Sequence, residues 1–437
     1  MAKINNKAFT LVELLAVIVI LAVILVIAVP QIINTINDSK KGVLESSAKL
    51  IASTAESMKL SNNTLGVTEE ITCSDVAQLT SEDYDTCKID FVDGDAYVSI
   101  IGKGKFEGMA VLSGTVEKAE GIRTTGLELT DDGNIRYTGS NPSNYIEFGN
   151  DNELWRIIGT FEVTTASGKT EKLMKIVRND SIGRYSWDSS IGNNNGTHED
   201  GEVNDGYGVN QWGASTYTDG SAYEGADLMR ELNTLYLNQE SGTCYNGSNN
   251  ASTTCNFSTT GIRSTYRNMV ETVVWNIGGV AWDAEGRTGQ SALTSYQAER
   301  GTITGQICKG TTYQNGPYCT DTGKRTTTWE GLVGLIYPSD YGYASTNTSC
   351  RNNINDITNY SCKNDNWLHN NTNYWTLSPR ASSGNSSLAW RVSSSGCVNG
   401  YSARDEIGVR PSVYLKSNVS ITSGDGSSSN PFQLGMN

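Results

Sequence analysis

The first pattern along the chain is an unbroken apolar run. From Phe9 to Val29, in FTLVELLAVIVILAVILVIAV, 21 residues carry a single charged side chain, Glu13. Coiled as a helix, such a run covers about 31 Å, enough to cross the hydrocarbon core of a bilayer. Beyond Pro30 the pattern changes. Ile36, Val43, Leu44, Ala48, Ile51, Ala52, Ala55 and Met58 recur at three-to-four spacing, while Lys40, Lys41, Glu45, Lys49, Glu56 and Lys59 fill the other face. This predicts one helix with a membrane-type first half and an amphipathic second half that packs on a globular head. Pro30 bends the helix without ending it, and Ser61-Asn62-Asn63 is its expected stop.

The periods then shorten to those of strands. DAYVSIIGKG and KFEGMAVLSGTVEKA read as strands separated by glycines, within a stretch, 64–135, that has no tryptophan. From YTGSNPSNYIEFGND onward the pattern is richer, and all nine tryptophans lie between Trp155 and Trp390. LWRIIGTFEVTT and EKLMKIVRND read as two strands joined by the turn ASGK. DLMRELNTLYL and STYRNMVETVVWNI have helical spacing. GLVGLIYPSDYGY reads as strand then loop, and YWTLSPR, SLAWRVSSSG and GVRPSVYL as closing strands. The predicted class is α+β with long loops.

Glu13 is the anomaly. A carboxylate within an apolar span costs several kcal/mol unless a cation meets it. Lys3 and Lys7 precede the span and hold its start on the cytoplasmic side. The apolar run is too long for the core of an ordinary secretory signal, and a cut at its far end, AVPQIINTIND, would discard the anchor. A cut before Phe9 would keep the anchor and expose a new amino group four residues from Glu13. Without such a cut, the span is a signal-anchor in which Glu13 pairs with Lys7 or reaches the interface.

The segment KAFTLVELLAVIVILAVILVIAVP resembles the processing and assembly segment of type IV pilins and related pseudopilins. The resemblance covers the N-terminal helix only. It implies cleavage between Ala8 and Phe9 by a prepilin peptidase, methylation of the new N-terminal residue, and an assembly role for Glu13 against the Phe9 amine of a neighbouring subunit. Ala8 departs from the glycine usual before that cut. The expected organisation is a leader at 1–8, a pilin helix at 9–62 with 9–29 in the membrane, a small pilin-like β domain at 63–135, and an α+β surface domain at 136–437.

The second unit resembles a bacterial surface domain through ELWRIIG, GLIYPSDYGYA and the closing strands. Those strands also resemble C-type-lectin-like folds of the formylglycine-generating-enzyme and retroelement variable-protein type. That resemblance implies a ligand-displaying surface within 381–407, with Tyr401, Arg404 and Asp405 as candidate contacts to a glycan or protein. Trp390 reads instead as core, because Leu388, Trp390 and Val392 share one face of their strand, and Arg410 as a structural anchor.

Charge and cysteines narrow the picture. A net charge of -14 disfavours nucleic acid as a partner, since phosphate binding needs basic patches. Eight of the nine cysteines fall in sequence-neighbouring pairs, Cys73/Cys87, Cys244/Cys255, Cys308/Cys319 and Cys350/Cys362, leaving Cys397 over. No CxxC occurs and only His198 and His369 are present, so local disulfides of an exported chain are expected rather than a zinc site. Each would close a short loop worth up to roughly 3 kcal/mol. Reduced thiols are the other reading, and Cys397 reads as a buried small residue.

No nucleophile elbow, phosphate loop or HExxH is present, and one C-terminal cysteine does not reproduce the reactive pair of formylglycine-generating enzymes. No cofactor is expected. The acid pairs Glu199/Asp200 and Asp405/Glu406 read as solvated. WDSSIGNNNGTHEDGEVNDGYG offers calcium-type oxygens without EF-hand spacing. The sequence thus points to a membrane-anchored subunit of a surface filament, minor or at the tip, with an adhesive or ligand-binding head. A pseudopilin of a type II-like secretion or DNA-uptake machine is the alternative, and a membrane-anchored enzyme the third reading.

Overall fold

The computed structural model describes residues 11–65, 71–76, 79–189, 210–216, 222–247, 251–280, 291–300, 307–308, 327–355, 360–380 and 388–436. One helix, α1 (Leu11–Leu65), carries the whole N-terminal pattern and continues through Pro30. Its 55 residues span about 80 Å. It runs past the expected stop at Asn62 by little, ending at Leu65.

The two halves of α1 meet different surroundings. From Leu11 to Val26 every residue is exposed. Lower down, Leu44, Ala48, Ile51, Ala52 and Ala55 are buried against Ala96, Val98, Ile100, Phe106, Met109 and Val111. Ile36 and Val43, which share the three-to-four spacing, stay about half exposed. They lie above or beside the contact stripe. Glu45 and Glu56 pin the packing from its edges: Glu45 Oε1 accepts from Gly121 N at 2.9 Å and Glu56 Oε1 from Ala96 N at 3.0 Å. A Cβ at Gly121 would sit 2.8 Å from Lys41 Cγ, so the close approach of sheet to helix requires glycine there.

The face against α1 is a four-stranded antiparallel sheet of β1 (Tyr84–Val92), β2 (Asp95–Gly102), β3 (Met109–Gly114) and β4 (Gly121–Arg123), in that order. Its two faces serve two cores. Along β3, Met109 and Val111 join the helix cluster, whereas Ala110 and Leu112 join the large core behind. Strand alternation is what makes this sandwiching possible. Lys118 Nζ donates to Ser417 O at 2.8 Å and Val419 O at 2.6 Å, and Lys88 Nζ to Gly133 O at 2.6 Å, so polar contacts also clamp the small sheet to the rest of the head.

The large core is built on a seven-stranded sheet. It begins with β5 (Leu127–Leu129) and β6 (Ile135–Tyr137), so the chain changes sheet between Arg123 and Leu127. At its centre lie β8 (Leu154–Thr164) and β9 (Thr170–Arg178), paired from Trp155↔Arg178 to Thr164↔Thr170 as the hairpin expected from ASGK. β6 and β7 (Tyr145–Glu147) share the other edge of β8. At the bulge in β8, a Cβ on Gly159 would lie 2.3 Å from Ile135 O.

A five-stranded sheet closes the head, with Tyr374–Pro379 at its centre and β10 (Arg184–Tyr185) at one edge. GVRPSVYL divides between the sheets: Gly408, with Ile407 just before it, pairs with Arg184–Tyr185, and Ser412–Tyr414 with β9. Arg410 sits at the crossing, donating from Nε to Arg178 O at 3.0 Å and from Nη1 to Leu368 O at 2.8 Å.

Two local expectations are corrected. In STYRNMVETVVWNI only Ser264–Arg267 is helical, and Val273–Asn276 is a strand paired with Thr328–Gly331. Val273, Trp275 and Ile277 are buried on alternate positions, so β-branching and a period of two prevail there. The segment after GLIY is a helix, Pro338–Tyr343, with proline in its first turn and Tyr337 N donating to Asp340 Oδ2 at 2.9 Å.

Disulfides join Cys73 to Cys87, Cys244 to Cys255, and Cys350 to Cys362, while Cys397 is a buried thiol. The fourth expected link differs from these three. Cys308 belongs to the short strand Ile307–Cys308, but Cys319 lies outside the described residues. Cys319 is therefore not among the disulfide-bonded cysteines described, and we propose its link to Cys308 on sequence spacing alone. Peptide mapping without reductant should return the three described links, an unlinked Cys397 and, on that proposal, a peptide joining Cys308 to Cys319. Free thiols at any of the six described positions in surface-exposed protein would contradict the assignment. Free thiols at Cys308 and Cys319 would remove the fourth link and leave the other three standing.

Candidate functional site

Two regions hold the residues singled out by sequence. The first is the start of α1. Glu13 lies in its first turn and is exposed, flanked by Leu11, Val12, Leu14 and Leu15, which are between 54% and 84% exposed. The exposed large apolar side chains continue through Leu21, Ile24 and Ile27. Elsewhere among the described residues the large exposed apolar side chains are scattered, as at Val116, Leu129 and Met436. The apolar half of α1 is therefore the surface of this molecule that water does not suit. It is long and apolar enough to cross a membrane. Ala8 and Phe9 lie outside the described residues.

The second region is the end of the closing sheet. Tyr401 lies on the strand Val398–Ser402, opposite Ala389. The Arg391 guanidinium stands 3.6 Å from the centroid of its ring, and the Trp375 ring lies 6.4 Å away. One face of Tyr401 is thus already occupied by a cation. Arg404 and Asp405 follow in a turn closed by Asp405 N donating to Ser402 O at 3.0 Å. That turn is tied down from the other side: Ser186 Oγ donates to Arg404 O at 2.5 Å, and Asp188 N to Ala403 O at 3.0 Å. All three candidate residues are partly exposed, and the turn brings them into one stretch of surface.

Trp390 is buried in the large core, as its strand alternation implies. Asp405 is partly exposed and Glu406 exposed. His198, Glu199, Asp200 and most of the Asn/Asp-rich stretch lie outside the described residues. Among the described residues, no three His, Cys, Asp or Glu side chains are placed to hold a metal ion.

The chain matches the prokaryotic N-terminal methylation motif over residues 3–29. No curated protein and no solved structure matches it. The motif implies processing by a prepilin peptidase and assembly with other pilins, and it suggests a structural subunit rather than an enzyme. That motif, leading into a long apolar helix and an α+β head, fits a type IV pilin-like protein that is anchored in the membrane and then displayed at the cell surface.

Proposed function

We propose that the protein is a minor or tip subunit of a type IV pilus-like filament, with the head acting in adhesion or ligand binding. The observation that carries this reading is the division of α1. Its upper half offers other subunits an apolar rod with one carboxylate, while its lower half is built into the head. Most of the chain belongs to that head. A head of this bulk on every subunit would crowd a thin fibre, whereas one at the tip or at sparse positions would not. The end of the closing sheet, with Tyr401 on its strand and Arg404 and Asp405 in the turn that follows, supplies a hydroxyl, a guanidinium and a carboxylate for contact with a glycan or protein.

Labelling purified surface filaments with antibody to the head tests the placement. Label at tips or at scattered points is expected. Continuous label along the fibre would make the protein a major subunit. Absence of label from filaments, with all protein in the membrane, would favour a secretion pseudopilin.

Processing is tested separately. Mass analysis of the N-terminal peptide should find a chain that starts at Phe9, carrying a methyl group. An intact Met1, or a cut beyond Val29, would overturn the filament reading.

A further inference from the structure

Between β9 and the start of the helix Pro338–Tyr343 lies a cluster of charges sealed from water. Lys175 Nζ is 2.7 Å from Asp340 Oδ2, and both side chains are 1% exposed. The ammonium faces the rings of Tyr337 at 4.2 Å, Trp275 at 5.3 Å and Tyr414 at 5.6 Å. The other Asp340 oxygen, Oδ1, accepts from Arg136 Nη1 at 2.8 Å. Arg136 is itself fixed by Asp132, which accepts from its Nε at 3.0 Å and its Nη2 at 2.6 Å, and by the rings of Phe161 and Tyr343.

We propose that Lys175 and Asp340 condense into an intramolecular isopeptide bond. Nζ attacks Cγ, one Cγ–O bond breaks, and the departing oxygen leaves as water with two protons from the ammonium. One proton remains on the new amide nitrogen. The overall change is ammonium plus carboxylate to amide plus water, and no oxidant or activating group is consumed. Oδ2, beside the amine, is the oxygen that leaves. Oδ1 stays on Arg136, whose guanidinium faces the negative charge of the tetrahedral adduct.

Two physical terms favour the step. The fixed contact replaces an encounter between separate reactants. The product also removes a buried charge pair whose desolvation is costly, and leaves Arg136 with Asp132. Burial pushes the Lys175 ammonium down to about 8. Burial raises the Asp340 carboxyl, but Lys175 and Arg136 outweigh it and hold the group below its ordinary value. The link would tie the central hairpin to the helix Pro338–Tyr343.

The test is peptide mass analysis of full-length protein purified from membranes, fully reduced, alkylated and digested after incubation to constant mass. A branched peptide joining the Lys175 and Asp340 segments, lighter by one water than their sum, is expected. It should disappear in Lys175→Arg, which keeps a cation beside Asp340 but cannot form this link. Two linear peptides at full mass would overturn the proposal. So would a missing water that fragmentation places within a single linear peptide. Neither outcome bears on the filament reading, which rests on α1.

Discussion

Glu13→Leu is expected to leave membrane insertion and cleavage intact and to remove the protein from filaments. Leucine makes the span more apolar, so insertion does not suffer. The cut proposed at Ala8–Phe9 lies ahead of the substituted position. The loss falls on assembly. In the proposed fibre the side chains around Glu13, exposed in the single chain, would turn inward against neighbouring helices, and a carboxylate in that setting needs a cation. Residues 9–39 contain no lysine, arginine or histidine, and Lys3 and Lys7 depart with the leader. On the proposed cleavage, the cation left at that end is the new amine of Phe9 on a neighbour. Removing one member of a buried charge pair costs about 3–5 kcal/mol. That is roughly a hundred- to a few-thousand-fold in each subunit's addition equilibrium. Cells should hold normal amounts of mature protein in the membrane and none in sheared filaments. Incorporation of the leucine variant at the wild-type level would reduce Glu13 to an ordinary member of a membrane anchor.

The parts of this molecule that sequence made legible are those governed by local period. The contact stripe of α1 followed from spacing, because one face of a helix repeats every three to four residues and the residues at Leu44, Ala48, Ile51, Ala52 and Ala55 keep to it. The β8–β9 hairpin followed from two alternating runs around a glycine-containing turn. Short cysteine separations gave three of the four expected links, while Cys319 lies outside the described residues. Where two periods compete, the reading failed. Val273–Asn276 contains valines and a tryptophan that fit either stripe, and its strand partner at Thr328–Gly331 is remote in sequence. The helix Pro338–Tyr343 did carry a signal, proline followed by a side-chain acceptor at the third helical position. Its shortness and glycine disguised it. The charge cluster was invisible for a different reason. Asp132 and Arg136 are an i,i+4 pair, but Lys175 and Asp340 come from distant parts of the chain, and a single sequence does not reveal which charges share an interior.

The same cluster sets the largest expected loss of stability in the head. Arg136→Met should destabilise it by about 3–5 kcal/mol at neutral pH, because the Asp132 carboxylate then stays buried without a counter-charge. Methionine fills much of the same space between Phe161 and Tyr343, so little of the cost comes from a cavity. The expectation holds whether or not Lys175 and Asp340 are joined, since Arg136 pairs with Asp132 in both cases. The pH dependence identifies the cause. Burial raises the Asp132 carboxyl, but Arg136, with Thr130 and Asn134, outweighs burial and leaves it below its ordinary value. A carboxyl depressed on folding contributes stability that is present above its unfolded value, about 3.9, and lost as pH falls through the lower folded value. Arg136 supplies much of that depression, so acid should cost the wild type more than the variant. The gap between them should be widest at neutral pH and narrow as the carboxyl protonates. Urea titrations followed by the fluorescence of the buried tryptophans, at neutral and acid pH, measure both quantities. Asp132→Asn combined with Arg136→Met should recover part of the loss, because the uncompensated charge is gone. A gap that stays constant with pH, or a double variant no better than Arg136→Met alone, would assign the loss to packing rather than to charge.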